Sequence, residues 1–100
     1  MFYLRYELMP GPSCGEDIAG AYASCWVKRG NVVEADSAAR AFIESEGWLV
    51  VALEHSQVVA SSDYDGQAEA RYYGQAEQDG ECYVFNTWPV GGEEIPRHAS

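Results

Sequence analysis

Residues 33–53 constrain the fold more than any other stretch. An amphipathic helix, a glycine stop and an apolar run follow one another without a break. Ala35, Ala38, Ala39, Phe42 and Ile43 recur at the spacing of a single helical stripe. Glu34, Asp36, Ser37, Arg40, Glu44 and Ser45 fill the opposite side. Gly47 falls where a helix ends in a left-handed residue, which costs glycine no Cβ clash. Trp48 and Ile43 are then the pair that meet across such a stop. Leu49 to Leu53 is too short for a helix and too apolar for an exposed loop, so it reads as a buried strand.

The rest of the chain is arranged around this unit. Phe2, Leu4, Tyr6 and Leu8 alternate with Tyr3, Arg5 and Glu7, the pattern of a half-buried strand. Pro10 to Asp17 holds two prolines and two glycines and reads as a loop. From Ala21 to Arg29, Ala21, Ala23, Cys25 and Val27 share one face of a second strand, and Tyr22, Ser24, Trp26 and Lys28 share the other. A side chain between Asn31 and Asp36 is expected to cap the helix. Beyond Leu53, Val58 to Ala60 resumes strand character, read as one long or bent strand rather than a hairpin. Gln67 to Asp79 reads as a second helix with Glu69 (stem only), Tyr72, Tyr73 and Ala76 on its buried side. Gly74 weakens that helix by about 1 kcal/mol relative to alanine. Gly80 stops it, and Glu81 to Trp88 follows as the last strand, ended by Pro89.

The element order is therefore ββαβαβ. The expected fold is α+β, a two-layer sandwich with a four- or five-stranded mixed sheet and two helices on one face. The strand-helix-strand step from Ala21 to Leu53 implies parallel neighbours if both strands share a sheet. The look is loosely ferredoxin-like. Residues 1–89 form a single domain, and residues 90–100 read as a loose tail.

Glu46-Gly47-Trp48 after an alanine-rich helix, Asp79-Gly80, and Phe85-Asn86-Thr87-Trp88-Pro89 carry a resemblance. The chain resembles small acidic bacterial proteins with a helix-Gly-Trp-strand unit that close on Thr-Trp-Pro. The likeness covers roughly residues 20–89. It implies a bacterial single-domain protein and assigns no activity.

Charge narrows the function classes. Six Lys and Arg stand against 16 Asp and Glu, for a net charge of −10. Without clustered cations to displace counterions, direct nucleic-acid binding is not expected. No apolar run is long enough to span a membrane. With no basic-then-apolar N-terminus, the cytoplasm is the expected compartment. Cys14, Cys25 and Cys82 show no metal-binding spacing, so free thiols are expected, with Cys25 and Cys82 buried as small hydrophobes. No metal or cofactor motif occurs.

Three groups remain as candidates for chemistry. Cys14 lies in the Gly/Pro loop, but Glu16 and Asp17 beside it would disfavour a thiolate. His55 is a potential acid/base group at the end of the central strand, although Glu54 before it points to the other face. The third group is a surplus of aromatics. Tyr22, Trp26, Tyr72 and Trp88 are singled out as ligand or interface residues, because a sheet face left bare by helices would expose them. The leading expectation is a non-catalytic binding or interaction module, a homodimer through that aromatic face. The alternatives are a small enzyme with a cleft using His55 or Cys14, and an acidic decoy that occupies a basic protein partner.

Overall fold

The computed structural model describes residues 1–11, 18–89 and 95–99. Its elements are β1 (Phe2–Pro10), β2 (Ile18–Val27), α1 (Val32–Ser45), β3 (Trp48–Val58), a 3-10 helix (Ser61–Tyr64), α2 (Ala70–Asp79), β4 (Glu81–Pro89) and β5 (Ile95–Ala99). The class is α+β. The strands form one sheet in the order β3-β1-β2-β4-β5.

Every neighbouring pair in that sheet is antiparallel, which corrects the mixed sheet expected from sequence. The α1 crossover does carry the chain from β2 to a strand of the same direction. It passes over β1, which lies between β2 and β3 and opposes both. Parallel strands therefore never become neighbours.

α1 forms as its stripe dictates. Asn31 caps it, its side-chain oxygen accepting from the Glu34 amide at 2.9 Å. At the far end Gly47 has φ of 92° and its amide donates to the Glu44 carbonyl at 3.0 Å. Ala35, Ala39 and Ile43 are fully buried against Leu4, Tyr6 and Leu8 of β1 and Ala21, Ala23 and Cys25 of β2. The small β2 side chains leave room for the helix. Phe42 stacks on Tyr83 with ring centroids 4.1 Å apart and 5° between planes, and Trp48 stacks on Phe85 at 6.4 Å. The Tyr6 hydroxyl donates to Asp36 of α1 at 2.6 Å.

The second helix lies on the opposite face, not beside α1. Ala76 is buried with Trp26, Cys82, Val84 and Val59, and Tyr3, Tyr64, Tyr72 and Tyr73 pack against them. Trp26 and Cys82 are the strand neighbours of Cys25 and Tyr83, which face α1. The sheet is thus covered on both sides, and the two-layer arrangement with both helices on one face is corrected. The physical reason is that β4 carries apolar residues at four successive positions, Cys82 to Phe85, and each face demands its own cover.

Two further expectations change. Leu49 to Leu53 is not a core strand, because β3 lies at the edge of the sheet. Trp48 is buried and Val50 packs against the α1-side core, while Leu49, Val51, Leu53 and Val58 are exposed. Apolar character alone did not reveal that, among the described residues, β3 has a strand neighbour on one side only. β3 is also bent, with register shifts opposite Arg5/Tyr6 and Glu7/Leu8. At the C-terminus, part of the expected tail is a strand. Residues 95–99 pair with β4, Tyr83 opposite Ala99 and Thr87 opposite Ile95. An edge strand is held by main-chain hydrogen bonds, so its side chains give little sequence signal, and Pro96 is tolerated there.

Candidate functional site

α2 and the 3-10 helix cover only part of their face of the sheet. Between them and the strands lies a cleft of about 700 Å³. Its floor is the outward row of the central strands: Tyr3 and Arg5 of β1, Ser24 and Trp26 of β2, Val84 and Asn86 of β4. Gln57 and Val59 close it at the β3 side, and Asp63, Tyr64, Gln67, Glu69 and Tyr72 form the helical wall.

Strand register brings the floor together. Tyr3 lies opposite Trp26 and Arg5 opposite Ser24 in the β1–β2 ladder, and Ser24 lies opposite Val84 in the β2–β4 ladder. Local hydrogen bonds fix the wall. The Val59 amide donates to the Met1 carbonyl at 2.9 Å, tying the end of β3 to the start of β1. The Asp63 carboxylate accepts from the Ala60 amide at 2.7 Å and so starts the 3-10 helix. Gly66 then turns with φ of 76°, a conformation that favours glycine.

Trp26 is the centre of the aromatic cluster. It is 3% exposed. Tyr3 lies 5.1 Å and Tyr72 5.3 Å from it, centroid to centroid, and Tyr64 meets it edge-on at 6.2 Å. Its indole N–H donates to the Tyr64 hydroxyl at 3.0 Å. Burial raises the Tyr64 pKa above the ordinary tyrosine value, and the Trp26 donation offsets this in part. Tyr64 therefore keeps its proton at neutral pH, accepts from Trp26, and can still donate. The Tyr3 hydroxyl reaches Ser24 Oγ at 3.3 Å.

The charged groups differ in how they are held. The Arg5 guanidinium lies 4.4 Å from the Tyr22 ring centroid, a cation–π contact. Its Nε is 4.0 Å from Glu54, at the limit of an ion pair. Its N–H groups make no hydrogen bond among the described residues. Glu69 is half-buried, and its carboxylate likewise has neither a hydrogen bond nor an ion pair among the described residues.

The residues singled out from sequence divide as follows. Trp26 and Tyr72 line the cleft. Tyr22 sits outside it, against Arg5. Trp88 is placed by its backbone opposite Gly20, and its side chain lies outside the described residues. His55 is exposed and is not part of the cleft lining. Its Nε2 is 2.9 Å from Gln57 Oε1 and its ring 5.9 Å from that of Tyr3. Cys14 lies outside the described residues. Cys25 and Cys82 are both buried, one on each face, and burial first of all pushes both thiols up in pKa. They are held as neutral thiols. Among the described residues no group of His, Cys, Asp and Glu is arranged to hold a metal ion, and no helix is long and apolar enough to cross a membrane.

Trp26 and Tyr72 thus pack against each other within the chain. Trp26 is covered by the helical wall, to which Tyr72 belongs, so the bare aromatic face invoked for a homodimer is not present at those positions. Sequence reasoning did not single out Arg5, Ser24, Asn86 or Glu69 as site residues. The alternation of β1 does place Tyr3 and Arg5 on one face, but only the three-strand register sets Ser24 and Asn86 beside them. Comparison with protein-family models, with curated proteins and with solved structures finds no match to this chain.

Proposed function

We propose that this protein is a non-catalytic binding module whose ligand site is the cleft between the sheet and the α2 layer. One observation carries the reading: a concavity of about 700 Å³ brings an aromatic cluster together with charged groups, Arg5 and Glu69, whose side chains make no hydrogen bond among the described residues. Its volume falls in the range of small-molecule sites, and its lining is largely polar, with aromatic surface from Tyr3, Trp26, Tyr64 and Tyr72. Trp26 backs the site, and Tyr3, Tyr64 and Tyr72 offer ring surface and hydroxyls. His55 argues against chemistry. It is exposed, and its hydrogen-bond partner among the described residues is the neutral amide of Gln57, so no carboxylate orients it. Described carboxylates lie on both sides of the sheet, among them Glu34 and Glu44 on α1 and Glu77 and Asp79 on α2, a spread that argues against a decoy with one acidic face. Buried neutral thiols accord with a cytoplasmic setting.

The test is a small-molecule fragment screen by two-dimensional NMR on isotope-labelled protein. The Trp26 indole N–H is a built-in reporter, since its hydrogen bond to Tyr64 spans floor and wall. The expected result is a set of compounds that shift Tyr3, Ser24, Trp26 and Tyr64 and leave α1 unmoved. If no compound shifts that group, the reading fails.

A second reading keeps the homodimer and moves it to the outer edge of β3. Leu49, Val51 and Leu53 are exposed along a strand that has one side unpaired among the described residues, where another copy could pair. Solution mass at two concentrations tests it. Val51→Lys should dissociate such a dimer, and a strict monomer for the unaltered chain removes the reading.

A further inference from the structure

The charges in the cleft point further, on the premise that the cleft is the ligand site. One cation and two carboxylates line it: Arg5 on the sheet, Asp63 and Glu69 on the helical wall. Asp63 is in part engaged, with one oxygen accepting from the Ala60 amide. Arg5 is held in place by the Tyr22 ring and a 4.0 Å approach of Glu54, yet its N–H groups bond to no described residue. The Glu69 carboxylate accepts from no described residue and lines the cleft. Two opposite charges without hydrogen-bond partners among the described residues therefore line one concavity, together with aromatic surface.

We propose that the cleft takes a zwitterionic ligand of the free amino-acid class with an aromatic or large apolar side chain. The ligand carboxylate meets Arg5, whose planar fork matches carboxylate geometry. Its ammonium group meets Glu69, with the second oxygen of Asp63 beside it. Its side chain lies against Tyr3, Tyr64 and Val84. A ligand with only one charge would leave the opposite group desolvated and unpaired, which is how a polar site rejects an analogue that lacks one partner. The remaining volume accommodates bridging water.

The experiment titrates the isotope-labelled full chain with L-phenylalanine, phenethylamine and 3-phenylpropanoate, the zwitterion and its two singly charged relatives. The expected result is that L-phenylalanine shifts the Trp26 and Ser24 signals and binds about tenfold tighter than either relative. Arg5→Gln should weaken L-phenylalanine by about tenfold and leave phenethylamine nearly unchanged. Glu69→Gln should do the converse, sparing 3-phenylpropanoate. Both side chains are partly exposed, so the fold should survive, and circular dichroism confirms it. Glu44→Gln, on the exposed side of α1, is the control. Equal or tighter binding of a singly charged relative overturns the zwitterion assignment and leaves the cleft reading standing. So does an unchanged affinity in both charge variants. Silence with all three probes overturns the assignment as well; the cleft reading then falls only if the wider fragment screen is also silent.

Discussion

Removing one hydroxyl should have opposite effects at two buried tyrosines. Tyr6 and Tyr83 are both fully buried on the α1 side of the sheet. The Tyr6 hydroxyl donates to Asp36 at 2.6 Å, whereas the Tyr83 hydroxyl is buried with no well-aligned hydrogen-bond partner among the described residues. A buried, unpaired polar group costs about 1–3 kcal/mol of desolvation. Tyr83→Phe removes that group and keeps the ring stacked on Phe42, so stability should rise by about 1 kcal/mol. In a domain of this size that is a melting-temperature increase of roughly 4–8 °C. Tyr6→Phe instead removes a charge-assisted bond, nominally worth about 1.5–3 kcal/mol. The Asp36 side chain is 32% exposed and keeps Arg40 at 2.9 Å, so solvent and Arg40 relieve part of the loss. A net cost of about 1 kcal/mol is expected. Urea denaturation of the two variants and the parent reads the difference directly, with the midpoint moving and the slope unchanged. If Tyr83→Phe destabilises as much as Tyr6→Phe, the Tyr83 hydroxyl has a partner and the reasoning fails.

Alkaline pH should weaken the fold through these same groups. Burial, first of all, raises the pKa of Tyr6, Tyr83 and Cys25 above their ordinary values. The unfolded chain therefore releases protons, near pH 8.5 for Cys and about 10 for Tyr, that the folded chain retains, so stability is whole below that range and falls as pH rises through it. Melting temperature measured from neutral to strongly alkaline pH should show the fall, and Tyr83→Phe should flatten it; a flat parent profile would contradict the burial. Gly11→Ala should cost about 1–3 kcal/mol, because the added Cβ would press on the Gly47 carbonyl oxygen that accepts the Gly11 amide. An unchanged denaturation midpoint would show that the backbone yields there. Asn31→Ala should cost about 1 kcal/mol through loss of the α1 cap, and Asn31→Asp should restore it. Thermal melts of the pair decide.

What the sequence made legible was local. The α1 stripe, its stop at Gly47, the second stop at Gly80 and the alternation of β1 each depend on residues within a turn or two of one another. Strand order was hidden because it depends on partners far apart: nothing in Leu49 to Leu53 records that β3 joins only β1. One signal was available. Cys82-Tyr83-Val84-Phe85 does not alternate, and a strand apolar on both faces requires cover on both, which places α2 across the sheet from α1. The site was legible in the same uneven way. Trp26 and Tyr72 stood out as aromatics in excess of one core. Arg5 and Glu69 are ordinary surface residues in sequence and become neighbours of one cleft only through the fold.

The position of β1 has a consequence for how the molecule holds together. The first strand is bonded on both sides, to β2 at one edge and to β3 at the other. Its second partner arrives some forty residues after it. Sheet closure therefore depends on contacts between distant parts of the chain, which slows folding relative to a run of hairpins. It also makes the two ends of the described chain unequal. Loss of β5 would fray one border, whereas loss of β1 would sever β3 from the other strands and leave α1 bridging a gap.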